Sequence, residues 1–178
     1  GWTSWAVPDF TVELTTSGYA GQEELKNFPV LVRISPEKIP GFYYKDCGEL
    51  GADISFTLVE NGAKLAYEID TWNVDGESLV WVKLPSLTKN TKFRFGWSDK
   101  TPDENNPSDV WSEYEGVWHM NSTGPKDSTK NGYVAVGENV EYLSDSLIGG
   151  AVKFDDESSL ISENAYTSDT LSDNGLKV

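Results

Sequence analysis

Apolar and polar residues alternate in two neighbouring stretches of the chain. In Tyr67-Glu68-Ile69-Asp70-Thr71-Trp72-Asn73, Tyr67 and Ile69 stand against Glu68 and Asp70. In Ser78-Leu79-Val80-Trp81-Val82-Lys83-Leu84, Leu79, Trp81 and Leu84 stand against Ser78 and Lys83. A period of two needs one buried and one wet face, which is a strand of an antiparallel sheet. Asn73-Val74-Asp75-Gly76-Glu77 between them carries the Asp-Gly pair that turns one strand into the next. The pattern predicts a hairpin bearing two tryptophans and two acids, with Trp81 as a core plug.

Further strands follow at regular spacing. Residues 11–15 alternate and residues 18–21 turn; residues 28–34 are almost wholly apolar and predict a central strand covered on both faces. Residues 52–59 alternate, Asn61-Gly62 turns into residues 64–70, and residues 91–97 alternate with Lys92 and Arg94 on the wet side. Residues 36–44 predict one short helical turn, and residues 108–114 another with Ser108 as its cap. The expected core is Val30, Val32, Ile54, Phe56, Ile69, Leu79, Trp81 and Phe93, with residues 28–34 and 78–84 central. Many short strands joined by Gly, Asn and Asp turns predict an all-β, antiparallel β-sandwich of jelly-roll-like kind.

Residues 98–107 have no periodicity and read as a linker or long loop. The texture then changes. Residues 116–120 are apolar and strand-like, residues 123–132 are polar and turn-rich, and residues 135–143 and 150–154 resume short strands. Residues 167–178 have weak periodicity, and no internal repeat occurs. The division expected is a β-sandwich domain over residues 1–107 and a second set of strands over residues 108–178. That second set either opens another domain or completes the first.

Charge narrows the partners. With 29 acids against 14 bases, the formal net charge is -15. Such a field repels phosphate backbones and anionic lipid, so nucleic acid is a poor partner. No apolar run approaches the length of a membrane span, so no membrane insertion is expected. Cys47 is the single cysteine, which excludes an intramolecular disulfide and a multi-cysteine zinc site. The balance suits a mature or cloned soluble fragment of a bacterial extracellular protein.

Residues 28–34, Gly51-Ala52-Asp53-Ile54-Ser55-Phe56-Thr57, residues 67–73, residues 76–84, Val110-Trp111 and Val117-Trp118-His119-Met120 occur in an order that resembles a secreted bacterial domain-of-unknown-function family. Members of that family sit in large surface proteins, some linked to ExbB/TolQ-type transport genes, and often precede a concanavalin A-like (laminin-G-like) lectin domain. Residues 10–120 carry the resemblance. Phe95-Gly96-Trp97 departs from the Tyr-Gly-Asn ending usual there. Trp118-His119-Met120, Asp127-Ser128-Thr129-Lys130-Asn131-Gly132 and residues 148–155 resemble the opening strands of the lectin jelly roll. Fewer residues follow than a complete jelly roll needs. The resemblance implies an extracellular or cell-surface setting and neighbouring domains of a larger protein. It implies no reaction.

Candidate chemistry is aromatic and acidic. Seven tryptophans and eight tyrosines provide faces that stack on sugar rings, and carboxylates and amides hydrogen-bond the hydroxyls around them. Trp72, at the hairpin end, with Glu68, Asp70, Asn73 and Asp75 makes the candidate glycan platform. Trp2 and Trp5 lie in a terminal arm. Glu68 and Asp70 lie two apart on one strand, about 7 Å between positions, a separation open to a glycosidase pair. Such pairs usually come from different strands, and a solvated strand face explains these acids better. His119 is the only histidine and reads as structural; no nucleophile elbow accompanies it or Cys47. Asp127, Asn131 and Asp155 offer calcium ligands in turns, though not at EF-hand spacing, and Asx-turns explain them equally. The readings that remain are a non-catalytic extracellular module that binds a polysaccharide or other glycan, a structural or adhesive spacer, and, least supported, an enzyme.

Overall fold

The computed structural model describes residues 10–98, 103–121, 125–144 and 146–163. Trp2, Trp5 and residues 167–178 lie outside the described residues. The chain divides into two compact units, Gly1–Val110 and Trp111–Val178.

The first unit contains β1 (Phe10–Thr15), β2 (Leu25–Ile34), β3 (Ile54–Leu58), β4 (Tyr67–Thr71), β5 (Ser78–Leu87) and β6 (Lys92–Trp97). They form two three-stranded antiparallel sheets, ordered β1-β6-β3 and β2-β5-β4. One core draws on both sheets: Val32, Val80, Val82 and Leu84 from one meet Ile54, Phe56, Phe93 and Phe95 from the other. The chain is therefore all-β, and this unit is an antiparallel β-sandwich. Its centre is an aromatic stack, with ring centroids 5.2 Å apart for Phe56–Phe95 and 5.1 Å for Phe95–Trp97.

The sequence misplaces β2 and the phase of β5. Only β5 and β6 are central; β2 is an edge strand. Pro29 is the physical signal for this, because proline lacks a ladder donor and is tolerated where its nitrogen faces away from the neighbouring strand. In β5 the core residues are Val80, Val82 and Leu84, and Leu79 and Trp81 lie on the opposite face. Leu79 is buried there, but Trp81 is only half-buried, so Trp81 is not the core plug expected. An unbroken apolar run from Leu79 to Val82 carries no parity, which is why alternation alone assigned it wrongly. Val32, Ile54, Phe56 and Phe93 are buried as expected, and Val30 and Ile69 pack partly buried against them.

Segments without strand structure cover two of the sheet edges. Ala63 and Leu65 exchange backbone bonds with Leu58 and Phe56 beside β3, at 2.8 and 2.9 Å. Along β4, Asn106 N–H donates to the Tyr67 carbonyl at 2.8 Å and Asn105 Oδ1 accepts from Ile69 N–H at 2.9 Å. The stretch read as a linker thus packs, in its described part, against the sandwich. One helical turn follows at Pro107–Val110. Asn106 is its cap, accepting Asp109 N–H at 3.3 Å, with Pro107 in the first position; Ser108 instead donates its hydroxyl to Asn106. The single helical turn expected over residues 36–44 is instead a non-helical turn closed by Lys38 and Ile39 N–H on the Ser35 carbonyl, and 3-10 turns follow it at Tyr44–Asp46 and Glu49–Gly51.

The second unit holds β7 (Val134–Glu138), β8 (Glu141–Leu143), β9 (Ala151–Lys153) and β10 (Ser159–Glu163). β7 pairs with β10 and β8 with β9, both antiparallel. The run expected over residues 135–143 breaks at Asn139, whose φ of 53° ends the extended backbone. Residues 116–120 form no strand; only an isolated bridge joins Trp118 to Asp127.

Candidate functional site

The β4–β5 hairpin carries the expected platform, and its local geometry divides that platform in two. Ile69 pairs with Val80, but the next pair is Thr71 with Leu79, so Asp70 is an extra residue in β4. A bulge of this kind reverses the side-chain phase beyond it. Before the bulge, Tyr67 and Ile69 face the core while Glu68 and Asp70 face outward. After it, Thr71 shares the outer face with its partner Leu79, and Trp72 turns inward.

Trp72 is accordingly half-buried against the core. Its indole packs edge-on to Tyr44, centroids 5.4 Å apart and planes at 89°. Its six-membered ring covers Gly51, which is held at a φ of +74°. Glu68 is buried at 6% exposure, so it is not the solvated acid expected. Asp70 is half-buried and its Oδ2 accepts the Trp81 indole N–H at 3.3 Å. Glu68 also stands directly across from Trp81. Glu68 and Asp70 therefore gather around Trp81 on the outer face, and Trp72 lies on the other.

Asn73 and Asp75 build the turn. Asn73 Oδ1 accepts Asp75 N–H at 3.1 Å, an Asx-turn. Asn73 N–H donates to Ser78 Oγ at 2.9 Å, and Ser78 Oγ lies 2.8 Å from the Tyr44 hydroxyl, which donates to the Ile34 carbonyl at 2.8 Å. Burial pushes the Tyr44 phenol above its ordinary range. Glu77 anchors the other side, 2.5 Å from Arg33 and 3.0 Å from Lys38. Burial raises the Glu77 carboxyl, but the hydrogen bonds and charges of those two cations outweigh it and hold the group below its ordinary value. Asp75 is exposed at the tip.

A groove of about 700 Å³ lies along the edge of β2. Its walls include Leu14, Thr16, Tyr19, Val30, Arg33 and Trp81. Nothing in the sequence reading located it. Pro29 was the available signal, since an edge strand is where such a groove opens.

The remaining candidates are structural in their surroundings. Burial, then the charges of Asp53 and Asp46, push the Cys47 thiol up to about 12. It stays protonated at neutral pH and is no nucleophile. His119 is half-buried, its ring 5.8 Å from that of Trp111. Asp127 is a hub: Oδ1 accepts the N–H groups of Val117 at 3.0 Å and Thr129 at 2.9 Å, and Oδ2 accepts Thr129 Oγ1–H at 2.8 Å and Tyr133 N–H at 3.0 Å. Burial raises its carboxyl, and these donors together outweigh that and hold it low. Asn131 Nδ2 donates to the Glu115 carbonyl at 2.8 Å. Asp155 accepts from Ser158 Oγ at 2.7 Å and from Glu157 N–H at 3.0 Å.

A ring of donors is the wrong surrounding for a cation, so Asp127 does not fit calcium. Among the described residues, no group of three or more His, Cys, Asp or Glu is placed to hold a metal. No helix is long and apolar enough to cross a membrane among the described residues. No family model, curated protein or solved structure matches the chain.

Proposed function

We propose that the chain is a non-catalytic module of a larger extracellular or cell-surface bacterial protein, adhesive or spacing in role, whose contacts are with other polypeptide. The bulge at Asp70 carries this reading. It turns Trp72 into the packing, and every described tryptophan is then buried or half-buried, so none of them stands open as a platform. The resemblance to the secreted domain-of-unknown-function family, with lectin-like strands after it, belongs to the same proposal. So does the absence of catalysis: Glu68 and Asp70 come from one strand and gather on Trp81 instead of flanking a bond.

A second reading, glycan binding, has its own support. Trp81 lies half-buried on the outer sheet face, held by Asp70, and lines the groove beside β2. A glycan-array screen of the soluble chain separates the two. The proposal expects no saccharide above background and no release of reducing sugar from polysaccharides. A saccharide retained by the wild type and lost in Trp81→Ala would replace it with the glycan reading.

A further inference from the structure

We infer that the loops at one end of the first unit's sandwich form a docking surface for a basic amphipathic segment of a partner polypeptide. Tyr43, Leu50 and Val74 meet its apolar side chains, and the acids beside them meet its cations. This inference rests on the reading of the chain as a module that contacts other polypeptide.

Topology brings the three apolar residues to one place. Residues 35–53 join the end of β2 to the start of β3, and residues 72–77 join the end of β4 to the start of β5. Trp72 ties these two loops together. It packs edge-on to Tyr44 and covers Gly51, and the Tyr44 hydroxyl lies 3.3 Å from the Gly76 carbonyl. Tyr43 precedes Tyr44, Leu50 precedes Gly51, and Val74 lies between Trp72 and Gly76. All three therefore ride on one packed base, which leaves a partner little ordering cost.

Exposure supplies the second argument. Tyr43 is 53% exposed, Leu50 73% and Val74 58%. At the opposite end, residues 16–24, 59–66 and 88–91 form the loops. Among the described residues none of those loops carries an exposed large apolar side chain. Apolar side chains gathered at one end and rimmed by polar ones mark an interaction site.

Leu50 supplies the third. Its φ of 56° lies in the left-handed region, where glycine is comfortable and leucine is strained. Most of the side chain meets water, so packing within the chain does not offset that strain. Strain of this kind collects at binding surfaces.

Charge selects the occupant. Residues 35–53 and 72–77 carry six acids against two lysines. Lys38 already pairs with Glu77, and Lys45 Nζ lies 5.5 Å over the Tyr43 ring. Asp46, Glu49 and Asp75 enter no ion pair among the described residues, and Glu49 and Asp75 stand exposed beside Leu50 and Val74. A segment carrying Lys or Arg around its apolar residues complements this surface, and an acidic one is repelled. An anionic bilayer meets the same repulsion. Leucine and valine offer the hydroxyls of a sugar no hydrogen bond.

The test is an NMR titration of the full ¹⁵N-labelled chain with a short peptide of alternating Leu and Lys. A matched peptide of Leu and Glu is the comparison, and phosphatidylcholine vesicles are the lipid arm. The amides of Leu50, Gly51, Val74 and Asp75 should shift, while those of Gly62 and Lys89 at the opposite end stay in place. The Leu–Glu peptide should bind at least about tenfold more weakly. Leu50→Gly should weaken the Leu–Lys peptide at least about fivefold without lowering the melting temperature, because glycine accepts the left-handed backbone. Asp75→Lys, at the exposed tip, provides a second check and should weaken the Leu–Lys peptide while strengthening the Leu–Glu one.

Equal binding of the two peptides, or shifts spread over the chain with no maximum at these loops, would overturn the inference. Vesicle binding lost in Leu50→Gly would assign the tips to lipid and also overturn it. Self-association abolished by Leu50→Gly would assign them to a second copy, with the same consequence. No binding of the Leu–Lys peptide overturns the inference and, with a blank glycan array, leaves the spacing role standing. A saccharide lost in Trp81→Ala removes the reading beneath both.

Discussion

Cε3 and Cζ3 of Trp72 lie 2.8 Å from the point where a Cβ on Gly51 would stand. The contact ties the end of the β4–β5 hairpin to the turn ahead of β3. Gly51 meets two demands there, a φ of +74° and the absence of a side chain under the indole. Gly51→Ala should destabilise the chain by about 1–3 kcal/mol through backbone strain and overpacking. Chemical denaturation measures it, and a midpoint equal to the wild type would break the link.

The two faces of β5 and β6 predict unequal tryptophans. Trp97 is 2% exposed and stacks on Phe95, so Trp97→Ala should cost about 3–5 kcal/mol. Trp81 is half-buried on the outer face, and Trp81→Ala should cost about 1–2 kcal/mol, mostly lost area and the bond to Asp70. Denaturation of the two variants side by side checks the ordering. Equal losses would return Trp81 to the core.

The strands were legible in the sequence where one face is apolar and the other polar, as in β1, β3 and β6. Phase was not legible in β5, because Leu79, Val80, Trp81 and Val82 make both parities look buried. The bulge at Asp70 was invisible for a different reason: one inserted residue changes no composition and leaves the alternation of residues 67–70 intact. It was nevertheless the feature that scattered the expected platform. Pro29 could have been read as an edge signal and was outweighed by the apolar residues around it. Asp127 was legible as a turn former and as a calcium candidate, and the turn shows in its bonds to Thr129; its bonds to Val117 and Tyr133, ten and six residues away, depend on how the loop folds back and leave no mark in composition.

Asp127 makes the second unit sensitive to acid. Its folded pKa is lowered below the ordinary value of 3.8, so its contribution is present above that value. It is lost as pH falls through the lowered folded value. Secondary structure reported from β7 and β10 should therefore weaken below about pH 4. Asp127→Asn has fewer acceptor sites for the same donors, and should cost about 1–3 kcal/mol and flatten this acid dependence. Added calcium should leave the wild-type melting temperature unchanged. A calcium-dependent rise, absent in Asp127→Asn, would show the carboxylate serving a metal instead.

The inward turn of Trp72 is the claim on which the functional account depends, and equilibrium unfolding of Trp72→Ala tests it most directly. Val74→Ala is the control, since Val74 is 58% exposed in the same hairpin turn. Trp72→Ala should lose about 2–3 kcal/mol, less than a fully buried tryptophan would. Val74→Ala should stay within about 0.5 kcal/mol of the wild type. A Trp72→Ala variant that unfolds at the wild-type midpoint would contradict the account, return that indole to the surface, and restore the glycan platform with Glu68, Asp70, Asn73 and Asp75.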